Sequence, residues 1–373
     1  MPIGIQDRLM FQLQVNGKEV NLQQNTLDFM HIVESVRIHL PMVTLQIKDV
    51  TKFFSQNDFL VDATTIKITL GVENKKFVFN MRLFSHKELT MDGVQTYRLH
   101  GYLDVPLFWT SSRVAIIKDT ASGALRTICN ETGLTFQGPN TNDQQLWIPY
   151  NRKYTVFSDY IAQHSYLDQG SCMQMAISTD KVMRLVNVTD FEKFKTKQVF
   201  SNAPQQGQSL AADWRLLNSS GFLNNVSGYK DTNVSQAVFR DDSVIKDTKV
   251  NKNTTKLMMN EDVRSKVGRN RVTHAPIDVG NVNENYERAA YQNARLGNLF
   301  STGLEILTPA VVNAELMDVI NCQISRPGVD GVTSLSGRYM VTSKVFYLQN
   351  NNFYQKLEVF RHGLNDKTER TQS

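Results

Sequence analysis

Cysteine is nearly missing: three residues in 373, Cys129, Cys172 and Cys322, far apart and without a C-x-x-C pair. An odd, scattered set argues against a disulfide framework and a structural zinc site, and leaves reduced, partly buried thiols as the plain reading. Long apolar runs are missing too. No stretch approaches the ~20 apolar residues that a membrane helix needs, so no membrane anchor is expected. Met1 to Val15 lacks the basic segment and apolar run of a signal peptide, so synthesis and folding in a cytoplasm are expected. Neither sign of charge dominates. Lys and Arg number 41 against 36 Asp and Glu, an excess of five, too diffuse for the concentrated basic face of a nucleic-acid binder.

Catalytic signatures are also lacking. There is no H-E-x-x-H, P-loop or G-x-G-x-x-G, and the nearest approach to G-x-S-x-G, Gly207-Gln-Ser209-Leu-Ala211, lacks its second glycine. The seven histidines are scattered, none at ligand spacing from a cysteine or carboxylate. His164 falls on the apolar side of an expected helix, where a satisfied, buried histidine is the simpler reading. Asp241-Asp242 and Glu261-Asp262 are adjacent pairs, which point different ways on regular structure. A glycosidase pair could still be assembled from distant carboxylates, which need only be about 5–10 Å apart in space. On these grounds the chain is expected not to be an enzyme and to need no cofactor or metal.

What is present is alternation. In Thr64–Val72, Ile66, Ile68, Leu70 and Val72 alternate with polar residues; in Lys76–Phe84, Phe77, Phe79, Met81 and Leu83 form one row. Each row places one face of a strand against a core. Leu9–Val15, Ile32–Leu40, Val43–Ile47 and Thr96–Leu103 add further strands, with turns at Asn16-Gly17 and Asp92-Gly93. Six short strands with turns between them suggest a small barrel or closed sandwich.

From about Ser111 the period changes. Ala121–Glu131 reads as a helix with Thr120 or Ser122 as N-cap and Gly133 as its stop. Tyr154–Leu167 is a second, with Phe157, Tyr160, Ile161, His164 and Leu167 along one side. Met173–Ile177 and Lys181–Val186 read as a hairpin around Ser178-Thr179-Asp180. Val188 to Asn281 is rich in Asn, Ser, Asp and Lys and suggests irregular strands and loops, with Val234–Phe239 strand-like. Glu284–Phe300 returns to helix, and Gly303–Leu307, Val319–Ile324, Arg338–Leu348 and Phe353–Arg361 to strand. The last ten residues are polar and expected to be disordered or docked on a partner.

One local charge bias stands out. Lys246, Lys249, Lys252, Lys256, Arg264, Lys266, Arg269 and Arg271 face only Asp247, Glu261 and Asp262 within one stretch, a local excess equal to that of the whole chain. A solvated loop is the plain reading; contact with a lumen or an acidic partner is the sharper one. Nucleic-acid binding is disfavoured, because no aromatic residue occurs between Phe239 and Tyr286 to stack bases.

The two ends also echo each other. IKITLG, KFVFNMRLFSHKEL and QTYRLHGYLD have the same order of parts as DVINCQI, GRYMVTSKVFYL and FYQKLEVFRHG. Each set runs from a short apolar strand to a long one that turns polar, then to an aromatic-led strand ending in a charged turn. A duplicated unit would give a trimer six similar lobes around one axis, so that a threefold partner could abut a sixfold one.

LPMVTLQIKDVTKFFSQNDFLVDATTIKITLG resembles the opening barrel of contractile-tail baseplate hub proteins. SGRYMVTSKVFYLQNNNFYQKLEVFRHG resembles the closing strands of their second barrel. The family includes T4-type hubs, the late control protein D group and the hub half of type VI secretion spike proteins. The resemblance implies a β-rich α+β fold: a first tube-like β-barrel (residues 1–110), an α/β elaboration (111–187), an irregular strand and loop region (188–282), and a helix with a second tube-like β-barrel (283–373). It further implies a homotrimer in the virion tail baseplate, assembled in the host cytoplasm. Its partners would be tail tube, central spike, tape measure and baseplate wedge proteins, with DNA only in transit. The alternatives are an assembly module of a type VI or tailocin-like particle and, more distantly, a cell-wall-degrading hub enzyme. Edge strands of the two barrels are expected to join subunits.

Overall fold

The computed structural model describes residues 9–20, 27–57, 60–72, 75–91, 93–110, 117–149, 151–168, 171–201, 214–221, 229–240, 243–245, 251–253, 269–278, 302–309, 311–325, 333–349 and 352–361. Alternation decides the first strands. β1 (Met10–Val15) and β2 (Lys18–Val20) form a hairpin over Asn16-Gly17, both at positive φ (47° and 79°), as its two-residue turn requires. β3 (Leu27–Ser35) and β4 (Met42–Lys48) follow. A single-turn helix, α1 (Phe53–Asn57), has its first amides received by the buried Asp49 carboxylate: Phe54 N to Oδ1 at 3.2 Å and Ser55 N to Oδ2 at 2.9 Å. β5 (Thr65–Val72), β6 (Lys75–Met91) and β7 (Val94–Leu103) complete this set. Ile66, Ile68, Leu70, Val72, Phe79 and Met81 are buried as the alternation requires.

Two expected boundaries move. The strand expected over Ile32–Leu40 lies earlier, because Ser35 turns the chain: Ile38 N donates to Ser35 O (3.3 Å) and Arg37 N to Ser35 Oγ (3.2 Å). β6 continues past Phe84 to Met91 as one arm of a long hairpin with β7.

The middle portion mixes helices and strands. It holds β8 (Ile117–Asp119), α2 (Ala121–Thr132), β9 (Thr135–Gln137), β10 (Gln145–Trp147), α3 (Tyr154–Gln163), β11 (Met173–Ile177) and β12 (Val182–Asn187). Thr120 caps α2, its side chain accepting from Gly123 N, and Gly133 closes the helix in the left-handed region at φ 79°. α3 ends four residues earlier than expected. At its end the Tyr160 carbonyl accepts both the His164 amide (3.2 Å) and His164 Nδ1 (2.7 Å), so the imidazole folds back on the last turn.

Next come β13 (Thr196–Ser201), β14 (Arg215–Gly221), β15 (Tyr229–Arg240), β16 (Ser243–Ile245), β17 (Asn251–Asn253) and β18 (Arg269–Asp278). β15 to β18 form their own sheet, with β15 and β18 parallel. β19 (Thr302–Thr308), β20 (Val319–Gln323), β21 (Gly337–Gln349) and β22 (Asn352–Arg361) end the chain's described part. The helix expected over Glu284–Phe300 and the polar last ten residues lie outside the described residues.

The two closed barrels expected at the chain ends are not formed. Among the described residues no sheet closes on itself, and the N- and C-terminal strands belong to one open sheet of order β14-β19-β22-β21-β3-β4-β7-β6-β5-β1-β2. The reason lies at β3. Its outer edge, which a closed N-terminal barrel would have to bond to β2, is taken by β21, from Ser35 opposite Ser343 to Phe29 opposite Gln349. The sheet still curls. Phe346 on β21 packs on Phe77 and Phe79 of β6, ring centroids 5.4 and 5.2 Å apart, although three strands separate β21 from β6 along the sheet.

Its concave side is filled by one large core, in which Leu45, Ile68 and Phe79 join Phe346, Leu348 and Phe353 as well as Leu125 and Ile161 from α2 and α3. A second core holds Leu304, Ile320, Tyr339 and Val359. Among the described residues no helix is long and apolar enough to cross a membrane.

Candidate assembly surface

The sheet repeats a strand order. In the N-terminal half, β3, β4, β5, β6 and β7 lie side by side as β3-β4-β7-β6-β5. In the C-terminal half, β14, β19, β20, β21 and β22 lie as β14-β19-β22-β21-β20. Read as first to fifth strand of each half, the two orders are the same. The third to fifth strands are those whose sequences echo each other. The fourth strand bears a bulge at the same place in both, between Leu83 and Ser85 in β6 and between Val341 and Ser343 in β21. A bulge at one point of a ladder is a specific feature, so the echo extends to topology and register.

The halves differ in what lies beside the fourth strand. β21 bonds β22 along one side; on the other, β20 occupies Gly337–Met340 and β3 occupies Ser343–Gln349. β6 bonds β7 along one side; on the other, β5 occupies Lys75–Arg82 and no described strand pairs with Leu83–Met91. At the far end of the sheet, β14 is bonded among the described residues to β19 alone, and Arg215 and Leu217 to Ser220 are exposed. Among the described residues, the counterparts of the β21–β3 pair are therefore both open: the fourth strand of the N-terminal half at β6 and the first strand of the C-terminal half at β14.

Side chains on the convex face run in rows across both halves. Tyr354, Tyr347, His31, Thr44 and His100 are successive cross-strand neighbours on β22, β21, β3, β4 and β7. His31 stacks edge-on against Tyr347 (4.4 Å between centroids), and Thr44 Oγ1 lies 3.2 Å from His100 Nδ1. Burial holds the His31 pKa below its ordinary value. One step along, Phe29 packs on His31 (4.8 Å) and under the Arg98 guanidinium (5.8 Å), while Arg98 donates to Gln46 Oε1 at 2.6 and 2.9 Å. Farther out, Phe84 stacks on Tyr102 (5.6 Å, 14°) and is half exposed.

The α/β portion is pinned to the junction of the halves. Glu34, on the core side of β3, is 1% exposed; its Oε1 accepts from Thr179 N (2.8 Å) and from the Thr179 hydroxyl at the β11–β12 turn. Opposite it in the β3–β21 register stands Lys344, 2% exposed, whose Nζ donates to Ala314 O (3.1 Å) and reaches Glu315 Oε2 (3.7 Å). Buried charges persist only with partners of this kind. Sequence reasoning passed over Glu34, although its sign was present: in HIVES it follows Ile32 on the inward row of an apolar strand.

The chemistry weighed from sequence is placed as follows. Cys129, Cys172 and Cys322 are buried and in no disulfide, and burial pushes the Cys129 and Cys322 thiols up to about 12, far from reactive thiolates. His164 is held below its ordinary pKa, first by burial, with Arg152 adding to the effect and the Tyr160 carbonyl opposing it. Among the described residues no three His, Cys, Asp or Glu side chains converge as metal ligands. Of the eight basic candidates, Lys252 lies on β17 and Arg269 and Arg271 on β18. Lys246, Lys249, Lys256, Arg264 and Lys266 lie outside the described residues, as do Asp241-Asp242 and Glu261-Asp262.

No protein-family model matches the chain, and no curated protein matches it. Solved structures do. The 43 kDa tail protein of prophage MuSo2 from Shewanella oneidensis is similar at a TM-score of 0.61, with 10% identity over 95% of this chain and 98% of that one. A tail protein from Neisseria meningitidis MC58 gives 0.60, again at 10% identity, over 95% and 96%. The E. coli c3393 protein, a component of the type VI secretion system with structural similarity to T4 bacteriophage tail proteins gp27 and gp5, gives 0.51 at 9% identity over 94% and 77%. What is shared is the fold. The likeness to phage tail and type VI secretion proteins expected from the sequence is met at that level, without closed barrels in the single chain.

Proposed function

We propose that this chain is a structural hub of a contractile tail baseplate, and that three copies join edge to edge into a ring with an open centre. The observation that carries the reading is the pair of unfilled positions in the sheet. Within the chain, the fourth strand of one half bonds the first strand of the other, β21 to β3. The equivalent bond between chains joins the Leu83–Met91 edge of β6 to β14 of the next copy. Carrying the β21–β3 register across the repeat sets Leu89 opposite Asn218, as Tyr347 stands opposite His31. Three chains of two halves give six similar units around one axis, which reconciles a threefold spike below with a sixfold tail tube above.

In this reading residues 1–110 and 283–373 supply the two halves, the second also drawing β13 and β14 from residues 188–282, and residues 111–187 form the α/β elaboration. The work is mechanical rather than catalytic: the ring matches symmetries, passes on the contraction signal, and leaves a passage for tape measure and then DNA. Wedge proteins surround it in the virion, after assembly in the host cytoplasm. The basic residues from Lys246 to Arg271 contact the lumen or an acidic partner. The likeness to a type VI secretion component favours a second reading, the same hub in a secretion or tailocin-like particle.

Light scattering of the purified chain should give the mass of three copies. Leu89→Cys with Asn218→Cys should cross-link copies on oxidation, whereas Leu89→Cys with Arg215→Cys, out of register, should not. A monomer that cross-links with neither pair refutes the ring.

A further inference from the structure

A cavity of about 650 Å3 opens between the α/β portion and the second half of the sheet, within the roughly 300–1,000 Å3 usual for ligand clefts. Its charge is one-sided. Arg184, Lys193, Lys195 and Lys197 line it against one carboxylate, Asp318. Pro139, Leu167 and Val186, each partly exposed, supply apolar wall.

Lys193, Lys195 and Lys197 are exposed, while Phe194, Thr196 and Gln198 are half-buried; Lys193 ends a short 3-10 helix, and the β13–β20 ladder is bulged at Lys197. The half-buried side of the segment is tied down: Arg338 donates to the Phe194 carbonyl, and Asn313 N to Gln198 Oε1 (2.7 Å). Arg184 is fixed too, donating to Ser178 Oγ and to Asp180 Oδ2 (3.2 Å). β13, which the lysine segment leads into, is bonded only to β20 among the described residues and leaves its other edge open. Val199 on that strand is 54% exposed.

We infer that this cleft binds an extended acidic peptide segment of a partner protein. An extended chain presents every second side chain to one face, at roughly 6.6 Å spacing, so a peptide with carboxylates at alternate positions sets several of them against this one-signed cluster of cations. Apolar side chains turned the other way meet Pro139, Leu167 and Val186. The open β13 edge offers backbone groups for strand addition. Arg184, already held in place, loses little freedom on binding. Single-stranded nucleic acid fits less well, because the one aromatic residue in the lining, Phe194, is half-buried and offers no stacking platform. The inference stands independently of the ring.

The test is fluorescence anisotropy on the full chain, with a labelled decapeptide of alternating glutamate and valine as probe and a labelled ten-residue oligothymidylate as competitor class. Lys195→Glu with Lys197→Glu should weaken peptide binding by at least about tenfold. Lys75→Glu with Lys76→Glu, a reversal of exposed lysines on β6, should leave it unchanged; circular dichroism confirms that both variants fold. Absence of peptide binding to the unmodified chain, equal loss in both variants, or tighter binding of the oligothymidylate overturns the proposal.

Discussion

Replacing Phe346 by alanine tests whether the two halves share one core. Phe346 is 2% exposed and meets Phe79 at 5.2 Å and 65°, Phe77 at 5.4 Å and 61°, and Phe353 at 6.5 Å; Lys344 Nζ lies 5.1 Å from its ring centre. Truncating a buried phenylalanine costs about 3–5 kcal/mol, and three aromatic neighbours in edge-on or tilted contact place this site near the upper end, at about 4–5 kcal/mol. That is a large part of the ~5–15 kcal/mol stability of a typical domain. A chain of this length need not unfold in one step, so the assay is hydrogen exchange read by mass spectrometry, strand by strand. Amides of β5 and β6 should lose protection together with those of β21 and β22, because Phe77 and Phe79 line the space left behind. Phe346→Leu, which keeps most of the volume, should cost far less. Loss of protection confined to β19–β22, or a cost below about 1 kcal/mol, would show that the curl of the sheet across β6 and β21 is not a shared core.

Two further outcomes follow from local structure. Thr120→Ala removes the acceptor for Gly123 N at the start of α2 and should cost about 1 kcal/mol, with Thr120→Ser restoring most of it, as measured by chemical denaturation. Burial holds His31 and His164 below the ordinary histidine pKa. The unfolded chain takes up protons at about pH 6.5 that the folded chain refuses, so stability present above that pH is lost as the pH falls through it. Melting temperature should decline from pH 7 to pH 5, and the slope should flatten in His31→Gln with His164→Gln; an unchanged slope refutes the assignment.

The elements were legible wherever a local rule governs them. Alternation from Ile66 to Val72 marked β5, Asn16-Gly17 marked the first hairpin, and Thr120 with Gly133 bounded α2 to within a residue. The failures share a different cause. Ile38 and Leu40 continue an apolar pattern past Ser35, yet the chain turns there on a hydrogen bond that pattern alone does not reveal. Barrel closure failed as an expectation because strand pairing is decided by whichever edge is available in space, and β3 found β21, a partner with no sequence signal in its vicinity. The internal echo was visible as strand types, but its meaning rests on the matching bulges in β6 and β21, which only the ladders reveal. The lysines at positions 193, 195 and 197 went unremarked beside the denser basic stretch that follows. Their one sign of charge was there to be read, but the wall opposite them comes from Pro139 and Leu167, well before them along the chain.

The bond between β3 and β21 also sets a clock on synthesis. At roughly 5–20 residues per second, a ribosome that has finished Ser35 needs roughly 15–60 s to reach Ser343. For nearly all of that interval β4 is available to one side of β3, while β21, which fills the other side in the finished fold, does not yet exist. A bare edge is where a second nascent chain can attach wrongly. Once β21 arrives that edge is filled, and the β6 and β14 edges remain. Order of synthesis thus separates growing chains, which expose an edge that must not be used, from finished ones.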